Sequence, residues 1–298
     1  MIVRVSRTGP VDAEFEAPPS KSYTHRALVA AALASGRSRI AAPLRAADTE
    51  LTARGLESLG VPIEWLPGEI AVTGCSGTFP APGEVTIDCG NSGTTLRLLT
   101  SAALLSRHPV VLTGNPRMLE RPIGPLADAL LALGGDVAFR GRPGFPPIRV
   151  SGRLRGGKAQ IDGSMSSQFI SSILMAAPYA DEDVELVLPA LPASRSYLDV
   201  TADVMLRFGA RLERRGYDWF RVKSGVPYQG RDYRVEGDYS SASYLFAVAA
   251  VCGGRVTVAG LNPASVQGDR RFLDALEAMG CRVTATGDAV TVERTDDL

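Results

Sequence analysis

Apolar and polar positions in this 298-residue chain follow one pattern four times over. Leu56-Glu57-Ser58-Leu59-Gly60-Val61 reads as the end of an amphipathic helix, a glycine that stops it, and the start of a strand. The same phrase returns around Gly134, Gly209 and Gly280. These glycines lie 74, 75 and 71 residues apart, which marks an internal repeat rather than a common junction met by chance. Glycine suits the place because a helix commonly ends on a residue in the left-handed region.

The upstream half of each repeat is alike too. Small, hydroxyl-bearing residues open a helix at Pro19-Ser20-Lys21-Ser22, and again at 89–95, 163–168 and 237–243. Apolar runs follow at 27–33, 96–105, 169–177 and 244–251. Short strands precede three of these starts, at 85–88, 158–162 and 233–236, and the alternating residues 1–9 predict another. Strand pairs such as 63–66 with 70–73, and 282–286 with 289–293, close the repeats; 142–147 is a turn between two strands. The pattern predicts a β-α-β-α-β-β unit of about 73 residues and an α/β (α+β) fold. Repeats packed about an axis bring equivalent helix starts to one face. Helix starts attract anions through free N–H groups and the positive end of the dipole.

Charge changes this picture only locally. Lys+Arg and Asp+Glu number 32 each, so no overall field draws the chain to nucleic acid or to a membrane surface. Of the basic residues only Lys21, Lys158 and Lys223 are lysines. Either chance put a lysine at 21, or that place needs a compact ammonium rather than a planar fork. Lys21, Ser22 and Arg26 dress the first helix start; the competing reading is a capped surface helix with solvated charges. Arg97, Arg117 and Arg121 cluster in the second repeat, where Gly90 and Gly93 let backbone N–H groups approach an anion. At least one of these three arginines is expected in a surface ion pair. Ser166, Ser167 and Gln168, with Ser194 and Tyr197 further on, offer hydroxyls and an amide for a polyol or phosphate, or else plain caps. Asp48 is either a helix cap or an ion-pair partner beneath the site.

Other chemistry finds no support. Cys75, Cys89, Cys252 and Cys281 are scattered, which predicts neither a disulfide framework nor a zinc site and suits a reducing cytoplasm. His25 and His108, the two histidines, have no ligand or triad spacing. No G-x-S-x-G, H-E-x-x-H or Walker A motif occurs, and no apolar run approaches a bilayer span.

The stretches PPSKSYTHRAL, DCGNSGTTLR, LTGNPRMLERPIGPLADAL, IDGSMSSQFISSILMAAP, VEGDYSSASY and QGDRRFLDALEAMG, in this order from Pro18 to Gly280, resemble the EPSP synthase family. The resemblance implies an enolpyruvyl-transferase-like fold of two domains with three repeats each. It implies transfer of the enolpyruvyl group of phosphoenolpyruvate to the 5-hydroxyl of shikimate 3-phosphate, with release of phosphate and without cofactor or metal. It assigns Lys21, Ser22, Arg26, Ser166, Ser167, Gln168, Ser194 and Tyr197 to shikimate 3-phosphate. It assigns Lys21, Gly93, Arg121 and Gln168 to phosphoenolpyruvate, and places the family's catalytic aspartate beyond residue 298. The expected partners are these two small molecules, with no nucleic acid or membrane, in a protein that is monomeric at full length.

On this basis residues 15–227 form a first domain of three repeats. Residues 1–14 with 228–298 form a partial second domain that lacks two of the family's six units, so that the 298 residues alone are expected to be inactive. Ser92 and Leu98 depart from the alanine and proline common in the family. A sister enzyme acting on UDP-N-acetylglucosamine is disfavoured, because it has Lys-Asn where Lys21-Ser22 stands and usually a loop cysteine. A non-catalytic phosphosugar-binding fragment is the other alternative.

Overall fold

Regular structure begins with strand β1 (Val11–Glu16) and helix α1 (Lys21–Leu33) in a computed structural model that describes residues 9–294. The predicted strand at 1–9 thus lies almost wholly outside the described residues, as do Asp296 and Asp297. The first repeat continues with β2 (Arg37–Ala41), α2 (Ala47–Ser58), β3 (Ile63–Leu66) and β4 (Glu69–Thr73). The second comprises β5 (Val85–Asp88), α3 (Gly93–Ala102), β6 (Val110–Thr113), α4 (Gly124–Ala132), β7 (Gly135–Phe139) and β8 (Ile148–Gly152). The third comprises β9 (Gly157–Gln160), α5 (Ser167–Ala176), β10 (Val184–Val187), α6 (Ser196–Arg207), β11 (Leu212–Arg215) and β12 (Trp219–Val222). After β13 (Asp232–Arg234), the fourth runs through α7 (Tyr239–Cys252), β14 (Gly254–Ala259), α8 (Phe272–Ala278), β15 (Cys281–Thr286) and β16 (Ala289–Arg294).

Each repeat owns one four-stranded sheet with the same order. In β5-β6-β8-β7 and β9-β10-β12-β11 the first two strands are parallel and the other pairs antiparallel. The remaining two sheets are β13-β2-β4-β3 and β1-β14-β16-β15. The strand ahead of α1 therefore serves the fourth repeat, pairing Val11 with Gly254 through Glu16 with Ala259. The strand ahead of α7 serves the first, pairing Asp232 with Arg39 through Arg234 with Ala41.

This exchange moves the domain boundaries from those the sequence suggested. The chain divides into one unit of Lys21–Val235 and another of residues up to Ser20 with Glu236 onward. Residues 228–235 belong with the larger unit because Tyr228 is fully buried, its hydroxyl donating to Met175 O at 3.0 Å, and because Gly230 N donates to Ser35 O before β13 joins β2.

The repeat glycines act as the pattern predicts. Gly60, Gly134, Gly209 and Gly280 have φ between +90° and +101°. At the first, Gly60 N donates to Glu57 O and Val61 N to Leu56 O, the paired bonds of a Schellman ending.

Each unit has its own core. In the larger unit α1 is buried on almost every side, which its alanines at 27, 30, 31 and 32 permit by letting neighbours approach closely. The smaller unit buries Tyr239, Ala242, Phe246 and Ala249 of α7 against its sheet. The same helix leaves Tyr244, Val248 and Val251 exposed along one stripe, two of them at 76%. No helix among the described residues is long and apolar enough to cross a membrane.

Gly74 shows how tightly α1 is held. A Cβ there would sit 2.1 Å from Ala34 O and 2.7 Å from Ala31 O, both backbone atoms at the end of the helix. Gly74→Ala is expected to lower stability by about 1–3 kcal/mol through overpacking. Gly83→Ala, which meets nothing within 4 Å, should be close to neutral. Denaturant midpoints of the two variants check this.

Candidate anion-binding site

The helix starts of the larger unit divide by charge. Helices α2 and α6 carry acids in their first turn, Asp48 and Glu50 in one and Asp199 in the other, as the dipole favours. Helices α1, α3 and α5 carry none. Two of them bear cations near the positive end instead, Lys21 on α1 and Arg97 on α3. A cation there is opposed by the dipole, so the arrangement favours a bound anion.

Around α3 the chain builds a cradle. Ser92 caps the helix by accepting from Thr95 N, and the buried Gly93 follows. The turn at Asn115 docks on this loop, with Asn115 N donating to Gly90 O at 2.9 Å. Gly114 is needed for that approach, since a Cβ would lie 2.5 Å from Gly90 O. The docked turn delivers Arg121, whose Nη1 would meet a Cβ on Gly93 at 2.8 Å. Arg121 donates to Asn91 O and Oδ1, at 3.4 and 3.2 Å.

Arg97 lies beside Arg121 there, its Nη1 3.6 Å from the same Cβ position on Gly93. It donates to Gln168 Oε1 at 2.7 Å and stands over the Phe169 ring at 5.1 Å. Burial, and then the charge of Arg121, lower its pKa. Neither arginine, nor the exposed Arg117, pairs with a carboxylate among the described residues. The expected surface ion pair in this cluster is therefore not formed. Two guanidiniums facing one glycine backbone without a counter-charge suit a phosphate or carboxylate.

Of the other residues singled out by the sequence, Ser166 and Gln168 are tied to this cradle by hydrogen bonds. Gln168 Nε2 donates to Thr94 Oγ1 at 3.0 Å, and Ser166 caps α5. Ser167 is buried, at 3% exposed. Lys21 Nζ lies 3.1 Å from Asp48 Oδ2, and both side chains are partly exposed. Asp48 is thus the ion-pair partner, while Thr49 Oγ1 reaches back to Ala46 N as the start of α2. Ser194 and Tyr197 are exposed at the start of α6, joined by Tyr197 N to Ser194 O.

Arg26 differs from the expectation that it faces a ligand. It is 2% exposed and spends four of its five N–H groups on the protein. Nε donates to Thr201 Oγ1 at 2.8 Å, Nη1 to Ser22 O, and Nη2 to Ser171 Oγ and Tyr197 O. It binds α1 to α5 and α6, leaving one Nη1 hydrogen. Burial pulls its pKa down to about 10, against the raising influence of Tyr197, Tyr23 and Tyr233.

The sequence reading missed the polar filling between helices. His25, Thr52 and Thr95 are fully buried, with His25 Nδ1 2.8 Å from Thr52 Oγ1 and Thr52 Oγ1 2.7 Å from Thr95 Oγ1. The signal available was a polar residue on the inner face of each of three helices. No group of three or more metal-ligating side chains occurs among the described residues.

Comparison with known proteins places these features in context. The family model described as EPSP synthase (3-phosphoshikimate 1-carboxyvinyltransferase) matches residues 5–298. A 3-phosphoshikimate 1-carboxyvinyltransferase of Methanoculleus marisnigri is 85% identical over 298 residues, which are all of this chain and 71% of that protein. One from Methanoregula boonei is 58% identical over 299 residues, again covering 71% of its length. An EPSP synthase structure from Acinetobacter baumannii superposes with a TM-score of 0.80 at 24% identity, covering 95% of this chain and 64% of that one. The likeness to that structure is one of fold. The chain spans about two thirds to seven tenths of these proteins' lengths.

Burial makes His25 a reporter of the site's integrity. Desolvation, then Arg26 and Lys21, lower its pKa from 6.5 to about 3. The unfolded chain therefore takes up a proton below pH 6.5 that the folded chain refuses, so stability falls as pH drops from 6.5 towards 3. The slope approaches about 1.4 kcal/mol per pH unit. Urea midpoints between pH 5 and 6.5 should show this slope in the wild type and a flatter one in His25→Asn.

Proposed function

The chain belongs to the EPSP synthase (3-phosphoshikimate 1-carboxyvinyltransferase) family, and from that premise we propose that its larger unit binds the two anionic substrates of enolpyruvyl transfer. The family's enzymes move the enolpyruvyl group of phosphoenolpyruvate to the 5-hydroxyl of shikimate 3-phosphate and release phosphate. Between them the substrates carry two phosphates and two carboxylates. A chain with no net charge meets that demand with locally concentrated cations and aimed N–H groups.

In this reading Gly93, Arg121 and Gln168 receive phosphoenolpyruvate, with Arg97 beside them. Lys21 serves both substrates from the start of α1. Ser22, Ser166, Ser167, Gln168, Ser194 and Tyr197 receive shikimate 3-phosphate. Arg26 contributes one N–H at most and otherwise holds the serine-bearing helices together. Its contact is thus secondary to those of Lys21 and the serines.

The cationic groups act on charge that moves during the reaction. Addition of the 5-hydroxyl to the enol carbon and loss of phosphate need a proton placed on, and later removed from, the methylene carbon. The phosphate leaves as an anion, and guanidiniums already in place stabilise it without reorganisation. The repeats count as the first four of six in this reading, and the apolar stripe of α7 is the face a following repeat would cover. Support comes from the share of the relatives' length that the chain spans and from the exposure of Tyr244, Val248 and Val251.

The observation that carries the proposal is the pair of arginines without a carboxylate at the acid-free start of α3. Calorimetric titration with phosphoenolpyruvate in the presence of shikimate 3-phosphate tests it. Arg121→Gln should weaken phosphoenolpyruvate binding by about tenfold or more, the worth of a charge-assisted hydrogen bond. Lys21→Arg should weaken both ligands despite keeping its charge, since a fork replaces a point donor. Unchanged affinities in both variants would remove the cradle from substrate binding.

A further inference from the structure

Three helices of the larger unit meet at a place that should be apolar and is not. His25 of α1, Thr52 of α2 and Thr95 of α3 are 0% exposed, and Ser92 ahead of α3 is 1% exposed. Their polar atoms form one chain. His25 Nδ1 lies 2.8 Å from Thr52 Oγ1, Thr52 Oγ1 lies 2.7 Å from Thr95 Oγ1, and Thr95 Oγ1 lies 2.7 Å from Ser92 Oγ and 3.2 Å from Asp48 O.

Proton counting gives the chain a direction. Asp48 O can only accept, and Thr95 has one proton for its three oxygen neighbours. Thr95 directs that proton to Ser92 Oγ or Asp48 O, and itself accepts from Thr52. Thr52 then accepts from His25 Nδ1–H. The protons of Thr52 and Thr95 both have partners in this arrangement. The atom left over is His25 Nε2, which is buried without a hydrogen bond. As a bare lone pair it costs less than an orphaned N–H, which the opposite tautomer would leave there.

The ends of the chain matter more than its middle. Asp48 supplies the carbonyl at one end and, through its carboxylate, holds Lys21 at 3.1 Å. Ser92 at the other end caps α3 immediately before Gly93. Thr95 itself stands between Thr94, which accepts from Gln168, and Arg97. Hydroxyl bonds of this length tolerate little sliding, so they set how far the start of α3 stands from the start of α2.

We propose that Thr95 is a positioning residue: the buried chain from His25 through Thr52 to Thr95 holds the Gly93–Arg97–Arg121 cradle in register with the Lys21–Asp48 pair, so that both meet one set of anions. The proposal rests on the substrate reading above. Thr95→Val removes the hydroxyl, so Thr52, Ser92 and Asp48 O each lose one of their buried partners, a loss that loosens the seat of α3. A shift of the order of 1 Å is enough to spoil anion geometry.

The test is phosphoenolpyruvate binding by calorimetry, with shikimate 3-phosphate present, on the whole 298-residue chain well below the melting temperature of every variant. Thr95→Val should bind about tenfold more weakly, and Thr95→Ser, which keeps the hydroxyl, should stay within about twofold of wild type. Thr100→Val is the control. It removes another buried hydroxyl from α3, one bonded only within its own helix, to Leu96 O at 2.7 Å. It should bind like wild type even where its melting temperature falls. If Thr95→Val does not fold, Thr52→Val cuts the chain one link earlier and carries the same expectation. Wild-type affinity in Thr95→Val, or equal weakening in Thr95→Val and Thr100→Val, would overturn the positioning role alone. No binding by the wild type would overturn both this role and the substrate reading.

Discussion

A guanidinium buried without a carboxylate holds the larger unit together. Arg26 gives up its hydration for two hydroxyls and two backbone carbonyls, drawn from its own helix and from α5 and α6. An ion pair would have neutralised the charge and closed the matter locally. Dipoles spread over three helices do not neutralise it, so the positive potential persists towards the helix starts. The same logic governs Arg97 and Arg121, which are satisfied by amide and carbonyl oxygens rather than by acids. The region is organised to stay positive until an anion arrives.

That constraint explains the distribution of acids. Several arginines of the larger unit are paired, as Arg149 on its sheet is with Glu84 and Arg221 with Asp183. These pairs lie on sheets, where the acid is lowered in pKa by hydrogen bonds that include its arginine. The acid-free helix starts are the exception. Among the described residues Asp48 is the one carboxylate in an ion pair beside them, and it faces the half-exposed Lys21, whose flexible stem can leave it.

Much of this was legible in the residues. Glycines at 60, 134, 209 and 280 report a backbone conformation that other residues resist, so their spacing gave the repeat and most element boundaries. Gly90 and Gly93 marked the loop ahead of α3, on which the turn at Gly114 docks. What stayed hidden depends on partners far apart in the chain. β13 reads locally like every other strand before a helix start, yet it pairs nearly two hundred residues back, with β2. Arg26 reads like a ligand because its environment comes from Ser171, Tyr197 and Thr201. Thr52 and Thr95 are unremarkable helix residues until they lie 2.7 Å apart.

The exchanged strands also set the order in which this protein can assemble as it is made. β1 leaves the ribosome well ahead of its partner β14, which follows only after Gly254 has been added. At about 5–20 residues per second, β1 waits on the order of ten seconds to a minute with its edge unpaired. The three inner repeats between Lys21 and Val235 are complete before then. Phe15, 43% exposed even in the finished fold, sits on that waiting edge, where flanking Glu14 and Glu16 supply charges that discourage pairing with another chain.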